Sequence, residues 1–409
     1  IVDTVGSETL VMSSGTGTTS SPNAATYASA GINEGSLTLG DGTGLASNYT
    51  LTGHAAGSFQ INQRALNSLG SREYDGTSIA SSSDLTLSNL VGSETLILSG
   101  NGTVADVNVA INKTVTVNTL SLADNTGLAS NYTLTGGTHQ LNITQRSVTL
   151  SGTRSYDGTN TVSNSDLTIG NLVGSETLTL TGAGTIASKD VGSNKSVTDV
   201  SFGLSDNTGL ASNYMIGTKT FNITKQTITI DGSKIYDGNT TVAASDISTF
   251  NGLALTETLT INGSGTIAAP SVGTNKVLTL GTLTLANGSN GGESSNYNLT
   301  SGNFDVTTRP ITLSGSRVYD GTTTVANTDI TTFTNIVSGE ALAVSGSGTI
   351  VDQNVGTSKS VSLGTLALAD NTGSASNYSL SSATFDVNQR PLNFSATKTY
   401  DANTTATLN

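Results

Sequence analysis

The chain has 409 residues, of which 34% are hydrophobic and 11% charged, and it carries a formal net charge of -13 with 47 Gly, no Cys, no Trp and two His. This composition excludes disulfide scaffolds, thiol nucleophiles and Cys/His zinc sites, and the acidic charge disfavours nucleic acid and anionic membranes as partners. No apolar run approaches the roughly 18 residues of a membrane span, so we expect no span in this segment.

One sequence pattern recurs about every 82 residues, and its strongest element is the triplet Tyr-Asp-Gly. A period of this length indicates a domain and not a solenoid coil, because coil repeats are about 20 to 50 residues long. The triplet returns a fifth time in the changed form Tyr400-Asp401-Ala402. Its four intact copies are Tyr74-Asp75-Gly76, Tyr156-Asp157-Gly158, Tyr236-Asp237-Gly238 and Tyr319-Asp320-Gly321.

Four further sequence markers, each a residue or tripeptide, recur with the same period as the triplet. The tripeptide Ser-Asn-Tyr ends at Tyr49, Tyr132, Tyr214, Tyr297 and Tyr378. A glutamate precedes a Thr/Leu-rich strand at Glu8, Glu94, Glu176, Glu257 and Glu340. A lysine recurs at Lys113, Lys195, Lys276 and Lys359. A closing arginine recurs at Arg64, Arg146, Arg309 and Arg390, with Gln226 in its place once.

The closing residue serves as the module boundary. It predicts four complete modules, the second to the fifth, at residues 65–146, 147–226, 227–309 and 310–390. Residues 1–64 form a partial first module that lacks its first strands. Residues 391–409 supply the first strand or strands of a sixth.

Each module has the pattern of an all-β fold. Apolar residues alternate with polar ones, as at Val148 and Leu150, and then from Val200 through Phe202 to Leu204, which is typical of strands with one buried face. Strong helix formers are scarce, and only residues 166–172 could form a helical turn. We therefore predict a tandem array of small β-sandwich or β-grasp-like modules, each with five to seven short strands.

The Tyr-Asp-Gly triplet is typical of a turn at the end of a strand. Glycine supplies a positive φ, the aspartate can bond to its own backbone two residues on, and the tyrosine buries its ring while its hydroxyl reaches a partner. The alternative is that Asp75, Asp157, Asp237 and Asp320 are metal-binding or catalytic carboxylates, with the phased glutamates as second acids. Isolated carboxylates in turns are usually structural, so we favour the turn.

The recurring lysine allows two interpretations. Extracellular β modules sometimes crosslink a buried lysine to Asn or Asp. The simpler interpretation, which we favour, is an ion pair or a turn lysine. An intact mass that shows no loss of ammonia or water would eliminate the crosslink.

Nothing else in the sequence indicates catalysis. His54 and His139 occupy different places in their repeats and have no phased partner, so both are expected to be exposed polar residues. We predict no enzyme activity and no cofactor. A calcium ion at the loop that begins at Asp124 and Asp206 is the one ion left open, although the fourth module replaces this loop.

Together these motifs resemble the Tyr-Asp-Gly repeat domains of very large bacterial surface and filamentous-haemagglutinin-like adhesins. The shared sequence motifs are Lys/Arg-x-Tyr-Asp-Gly-Thr, Val-Gly-x-x-Lys-x-Val, Asn-Tyr-x-Leu and a closing Ile-Thr-x-Arg/Lys-Pro. The resemblance covers essentially the whole chain. The resemblance implies a secreted, extracellular tandem-repeat protein whose β modules form a stalk or fibre. Ala402, Gln226 and the restriction of Pro to positions 310 and 391 are local departures.

The module junctions show no Gly/Ser-rich or Pro-rich linker, since the strand pattern continues from Ile143 to Leu150. We expect an elongated stiff rod in which each module adds about 30 to 40 Å. Residues 391–409 and 1–64 together make one period, so the chain is interpreted as a window of a longer array. The alternative is a subunit that polymerises head to tail by strand complementation between its two partial modules.

The leading function is thus a structural segment of an extracellular filament or adhesin stalk, with neighbouring repeats of the same or identical chains as partners. An array of glycan-binding modules, with host or surface glycans or proteins as ligands, is a second alternative. It would need exposed aromatic platforms, and the phased tyrosines have the pattern of core residues.

Overall fold

The computed structural model describes residues 1, 3–51 and 58–407. In this part of the chain the regular elements are β-strands and short 3-10 turns, which confirms the all-β prediction. The described residues include no helix that is long and apolar enough to cross a membrane. His54 lies outside the described residues.

The strands are numbered in chain order. The first module contains β1 (Leu10–Ser14), β2 (Thr18–Thr19), β3 (Ala25–Ala28), β4 (Ile32–Asn33), β5 (Thr38–Asp41) and β6 (Ser58–Ile61). The second contains β7 (Arg64–Ala65, across the boundary), β8 (Asn67–Glu73), β9 (Ile79–Ser81), β10 (Leu85–Ser88), β11 (Leu96–Ser99), β12 (Asn101–Thr103), β13 (Ala110–Thr114), β14 (Ser121–Asp124), β15 (Tyr132–Thr133) and β16 (His139–Thr144).

The later modules repeat this order with longer first and last strands. The third contains β17 (Arg146–Ser155), β18 (Thr161–Ser163), β19 (Leu167–Gly170), β20 (Leu178–Thr181), β21 (Ala183–Ile186), β22 (Gly192–Asp199), β23 (Gly203–Asp206) and β24 (Tyr214–Thr224). The fourth contains β25 (Gln226–Ile235), β26 (Thr241–Ala243), β27 (Ile247–Asn251), β28 (Leu259–Asn262), β29 (Ser264–Ile267), β30 (Gly273–Thr279), β31 (Thr284–Asn287), β32 (Tyr297–Thr300) and β33 (Asn303–Thr307).

The fifth module contains β34 (Arg309–Val318), β35 (Thr324–Ala326), β36 (Ile330–Thr334), β37 (Leu342–Ser345), β38 (Ser347–Ile350), β39 (Gly356–Ser362), β40 (Ala367–Asp370) and β41 (Tyr378–Asn388). The 3-10 turns are Ser29–Gly31, Ala46–Asn48, Ser82–Asp84, Ala129–Asn131, Asn164–Asp166, Ala211–Asn213, Ala244–Asp246, Ser294–Asn296, Asn327–Asp329 and Ala375–Asn377.

The fifth module illustrates the sheet topology. Its main sheet has the strand order β35-β38-β39-β41-β34-β36, and β37 pairs with β40 separately. The first and last strands, β34 and β41, run parallel, and their register begins with Arg309 opposite Tyr378. The same parallel pairing joins β8 to β16 and β25 to β33. It places the Ser-Asn-Tyr tyrosine of a module beside the residue that opens its first strand.

Alternation along these two strands builds the core. Ile311 and Leu313 of β34 are 0% and 1% exposed, and Phe385 and Val387 of β41 are 0% and 2% exposed. Successive side chains of a strand point to opposite faces, so every second residue enters the core. Burial of one such side chain contributes about 1.5 to 3 kcal/mol to stability.

Three details of the sequence-based prediction are wrong. The fifth module has eight strands, one more than the upper limit of five to seven, because short edge strands such as β35 escape a pattern search. Val200 is 67% exposed, since it lies in the turn between β22 and β23. Residues 166–172 contain strand β19 instead of a helical turn, and Asp166 closes the preceding 3-10 turn by accepting from the backbone N–H of Ser163 at 2.9 Å.

The chain divides into two compact units that do not follow the module boundaries. One unit comprises residues 1–153, 161–187 and 194–221, and the other comprises residues 154–160, 188–193 and 222–409. The third module therefore contributes residues to both units.

The partial modules at the two ends differ from the complete ones. Residues 391–407 contain no strand, and the assignment of residues 391–409 to the first strand or strands of a further module stays a prediction. In the complete modules the equivalent strand pairs in parallel with the last strand of its own module, and no such strand lies beside residues 391–407 in the described part of the chain. In the first module Phe59 is 53% exposed, whereas its equivalents Phe304 and Phe385 are fully buried.

Candidate functional site

The Tyr-Asp-Gly turn has the same geometry in every copy. Gly76, Gly158, Gly238 and Gly321 have φ values of 77°, 79°, 76° and 83°, a region that favours glycine. In the first copy the carboxylate of Asp75 accepts from the backbone N–H of Thr77 at 2.9 Å and pairs with Arg72 at 3.0 Å. The aspartate thus holds the turn, and the turn directs the tyrosine out of its own module.

The first complete tyrosine cluster lies between the second and third modules. The hydroxyl of Tyr74 donates to Oε1 of Glu176 at 2.6 Å, and the hydroxyl of Tyr214 donates to Oε2 of the same residue at 2.5 Å. The two rings meet edge to face with centroids 5.4 Å apart, an arrangement that aromatic pairs prefer. We define a tyrosine cluster as one glutamate with the Tyr-Asp-Gly tyrosine of the preceding module and the Ser-Asn-Tyr tyrosine of its own.

The second cluster joins the third and fourth modules and includes a lysine. Tyr156 and Tyr297 each donate to Glu257 at 2.6 Å, with ring centroids again 5.4 Å apart. Lys189 donates to Oε1 of Glu257 at 2.5 Å and lies 5.6 Å from the centroid of the Tyr156 ring. Glu257 is 5% exposed, and these bonds offset the cost of burying its charge.

The third cluster joins the fourth and fifth modules. Tyr236 and Tyr378 both donate to Glu340, the latter at 2.6 Å, and their ring centroids are 5.5 Å apart. The closing arginine supports this cluster, since Nε of Arg309 donates to the carbonyl of Asn335 at 2.6 Å and Nη1 donates to the carbonyl of Tyr236 at 3.3 Å. Arg146 has equivalent bonds to Asn171 and Tyr74 in the first cluster.

A buried asparagine forms a second contact at the same junctions. Asn213 is 1% exposed, and its Oδ1 accepts from the backbone N–H of Val109 in the preceding module at 2.9 Å. Asn296 and Asn377 accept in the same way from Val191 and Val272, both at 2.9 Å. The Asn and Tyr of Ser-Asn-Tyr therefore both contact the preceding module.

The clusters keep the tyrosines protonated. Burial, followed by the hydrogen bond to Glu176, raises the pKa of Tyr74 to about 12, and burial with the bond to Glu340 raises the pKa of Tyr236 to about 12. Burial alone would raise the pKa of Glu257, but hydrogen bonds from Lys189 and the two tyrosines hold that pKa below its usual value. At neutral pH the bonds to Glu257 therefore join protonated tyrosines to an ionised acceptor, a strong type of hydrogen bond.

The junction between the first and second modules has the asparagine contact and one of the two tyrosine–glutamate bonds. Oδ1 of Asn131 accepts from the backbone N–H of Ala24 at 2.8 Å, and Tyr132 donates to Glu94. Among the described residues no Tyr-Asp-Gly tyrosine contacts Glu94. A cavity of about 330 Å³ lies there instead, lined by Glu94, Tyr132, Asn131 and Arg64 among others.

The recurring lysines lie inside strands and not at a turn. The residue before each has positive φ: Asn112 (55°), Asn194 (53°), Asn275 (54°) and Ser358 (53°). The strand pairing is irregular at this point in the second, fourth and fifth modules. Nζ of Lys113 lies 2.7 Å from Asp106, and Nζ of Lys359 lies 2.7 Å from Asp352, while Lys276 donates to the carbonyl of Ala269 at 3.3 Å.

His139 is buried, which corrects the expectation that it is exposed. It is 5% exposed, its Nε2 donates to the carbonyl of Leu134 at 2.8 Å, and its Nδ1 forms a hydrogen bond of 2.9 Å with the Ser68 hydroxyl. Both ring nitrogens of His139 therefore have a hydrogen-bond partner. His139 is therefore a structural residue of the second module.

The two aspartates considered as calcium ligands accept hydrogen bonds from the backbone through their side chains. Asp124 and Asp206 each accept from the N–H that begins the following 3-10 turn, at 2.7 Å. Within the described residues no group of three His, Asp or Glu side chains is placed to hold a metal ion.

The partnership of glutamate and tyrosine across a junction is the feature that the sequence analysis missed. Both residues are phased markers, but the partners are 101 to 104 residues apart, more than one period. Alignment of the repeats at one period compares each marker only with the same marker in other modules. It does not show that two different markers are in contact. The asparagine of Ser-Asn-Tyr was missed for the same reason.

The sequence profile of the YDG domain matches residues 62–140, 137–222, 218–304 and 305–385. The chain belongs to the YDG domain family. This confirms the resemblance to Tyr-Asp-Gly repeats, and the tyrosine clusters are thus contacts between consecutive YDG modules.

The remaining comparisons are distant. The Bacillus anthracis TIE protein is a similar solved structure at 8% identity and a TM-score of 0.16, covering 72% of this chain. The chain spans 57% of that structure. No curated protein matches the YDG chain.

Proposed function

We propose that the chain is a structural segment of a secreted bacterial surface adhesin or extracellular filament, in which tandem YDG modules form a stalk. The observation that supports this proposal is the tyrosine cluster, which recurs at Glu176, Glu257 and Glu340. A buried polar group fixes geometry because it is stable only when all its partners are in place. Three such clusters in sequence hold the third, fourth and fifth modules each against the module before it.

The connections between modules support the same function. One residue separates β16 from β17, β24 from β25 and β33 from β34. A flexible linker needs several residues of Gly, Ser or similar type, and the junctions have none. The modules are therefore proposed to form a stiff support.

The location outside the cell is part of the proposal. A chain rich in Ser, Thr, Asn and Gly with a net charge of -13 resists self-association through its charge. Its stability rests on packing and hydrogen bonds and needs no disulfide. An array of glycan-binding modules is not favoured, because the phased tyrosines of the complete clusters are buried and bound to glutamate.

Small-angle scattering of the full chain tests the stalk. The expected result is an elongated particle whose maximum dimension corresponds to about 30 to 40 Å for each module in the chain. The variant with Glu176→Ala, Glu257→Ala and Glu340→Ala is expected to broaden the distance distribution, because the junctions lose their shared acceptors. A compact particle, or an unchanged distribution in the triple variant, would contradict the proposal.

A further inference from the structure

The three complete tyrosine clusters share their two tyrosines and differ in what surrounds the glutamate. Glu257 is 5% exposed, whereas Glu176 and Glu340 are half-buried. Lys189 pairs with Glu257 at 2.5 Å, and within the described part of the chain no lysine or arginine pairs with the other two glutamates. The junction between the third and fourth modules is therefore built differently from its two neighbours.

The position of Lys189 is apolar at the other two junctions. Counted back from the valine that donates to the buried asparagine, it is Val107 in the second module and Pro270 in the fourth. A charged third partner for the glutamate is thus specific to the pair formed by the third and fourth modules. A charge-assisted hydrogen bond to a buried carboxylate is stronger than a neutral one.

The loop before Ser-Asn-Tyr is two residues longer in the fourth module. Asn287 accepts from the backbone N–H seven residues on, at 2.9 Å, while Asp206 of the third module accepts from the N–H five residues on. A Cβ built on Gly291 in the longer loop would lie 3.4 Å from Nζ of Lys189 and 4.0 Å from Oε1 of Glu257. The additional residues therefore lie against the ion pair and help to exclude water from it.

Hydrogen bonds fix this loop on both sides of the cluster glutamate. Nδ2 of Asn290 donates to the carbonyl of Thr256 at 3.2 Å. The backbone N–H of Ser289 donates to Oγ1 of Thr258 at 2.8 Å. The loop is thus bound to the residues immediately before and after Glu257.

Leu255 is a further difference at this junction. It has a φ of 51° and is 72% exposed, whereas the third module has Gly174 at this position. A bulky side chain is strained in this region of φ. A Cβ built on Gly158 would lie 3.0 Å from Cδ1 of Leu255, so the leucine lies against the Tyr-Asp-Gly turn of the third module. It extends the contact that Val173 makes with the preceding turn, since the fourth module has Ala254 in the place of that valine.

We infer that Lys189, Leu255 and residues 288–293 form a clamp that makes the third–fourth junction open less often than the other two complete junctions. The inference rests on the proposed function and adds a rank order to the junctions of the stalk. Polar contacts are stronger where water is excluded, and each part of the clamp contacts either the Glu257 ion pair or the turn that docks on it. The junctions at Glu176 and Glu340 are then the points where the stalk yields first.

One backbone amide at each junction reports on its opening. The N–H groups of Val109, Val191 and Val272 donate to the buried asparagine of the following module, each at 2.9 Å. Such an amide exchanges with solvent only when its hydrogen bond opens, so its protection factor measures how often the junction opens. The full chain is placed in deuterium oxide at neutral pH, and exchange is measured at these single amides.

The protection factor of Val191 is expected to be about fivefold higher than those of Val109 and Val272. Lys189→Val, which introduces the residue type of the second module, should lower the Val191 value several-fold. Val109 and Val272 serve as internal controls in the same variant and should not change. Equal protection at the three amides, or a Val191 value that Lys189→Val leaves unchanged, would overturn the inference.

The two other parts of the clamp have their own variants. Replacement of residues 288–293 by residues 207–210, the shorter loop of the third module, should lower the Val191 protection factor several-fold. Leu255→Gly should lower it as well, while the stability of the fourth module to urea is unchanged or higher because glycine relieves the backbone strain. Strain inside the fourth module is the same in the open and closed junction, so a leucine without a clamping role would leave Val191 unaffected, and that result would overturn the clamp.

The same measurement separates the inference from the proposed function. If the three amides are protected to an equal degree, the clamp is wrong and the stalk stands. If none of them is protected, the junctions open freely, and the stalk falls together with the clamp.

Discussion

The junctions at Glu257 and Glu94 show what completes a YDG contact. Glu257 receives two tyrosines and a lysine and is 5% exposed, whereas Glu94 receives one tyrosine and borders a cavity. Both junctions have the buried or half-buried asparagine bond to the preceding module. The asparagine contact therefore forms without the cluster, and the Tyr-Asp-Gly tyrosine is what closes the junction.

Removal of a tyrosine ring should have the largest effect on this comparison. Tyr156→Ala is expected to cost about 3 to 5 kcal/mol at the Glu257 junction, because a buried ring leaves a cavity. Tyr400→Ala in the isolated chain should cost less than about 0.5 kcal/mol, because that ring is exposed. Hydrogen exchange of the fourth module, followed by mass spectrometry, measures the local change, and equal protection in both variants would contradict the assignment.

Removal of the acceptor should have the next largest effect. Glu257→Gln leaves buried partners without a charged acceptor and is expected to cost about 2 to 3 kcal/mol. The matched variant Glu94→Gln should cost about 1 kcal/mol or less, since one tyrosine is affected. Urea unfolding profiles of the two variants provide the test, and a larger loss for Glu94→Gln would reverse the comparison.

Alkaline pH should loosen the complete junctions. The pKa of Tyr74 and that of Tyr236 are raised to about 12, above the value of about 10 in an unfolded chain. The raised pKa gives stability that is fully present below pH 10 and is lost as the pH rises through about 12, about 1 to 2 kcal/mol per tyrosine. Unfolding measured between pH 9 and 12 tests the slope, and Tyr236→Phe should flatten it.

The lysine should make the smallest difference. Lys189→Met removes the ion pair of a side chain that is one-third exposed, so a cost of about 1 kcal/mol or less is expected. The pKa of Glu257 should rise, because Lys189 gives the largest of the hydrogen-bond effects that lower it. An acid titration of the variant checks this, with Lys113→Met, which lies away from the clusters, as the control. A larger loss of stability in Lys113→Met than in Lys189→Met would show that Lys189 does not stabilise the cluster.

Much of the fold follows from the sequence because it depends on local patterns. Alternation at Val148 and Leu150 predicts a strand with one buried face, and both residues are at most 1% exposed. The triplet predicts a turn, since a positive φ at Gly76 and a bond from Asp75 need only neighbouring residues. These features are encoded within a few positions of each other.

The junction chemistry could not be predicted in this way. Tyr74 contacts Glu176 only because one module stacks its turn on the next, and this contact depends on the assembled sheet. His139 was expected to be exposed because a single sequence gives no sign that Leu134 and Ser68 satisfy both of its nitrogens. The missed features are contacts between distant segments.

The parallel pairing of first and last strands has a mechanical consequence. In the fifth module β34 and β41 are joined in parallel from Arg309 to Val318, so the chain enters and leaves the module at opposite ends of the same pair of strands. Tension along the chain loads all of these backbone bonds in shear, and they must break together and not one at a time. A single-molecule pulling experiment should show high, evenly spaced unfolding peaks, one for each complete module.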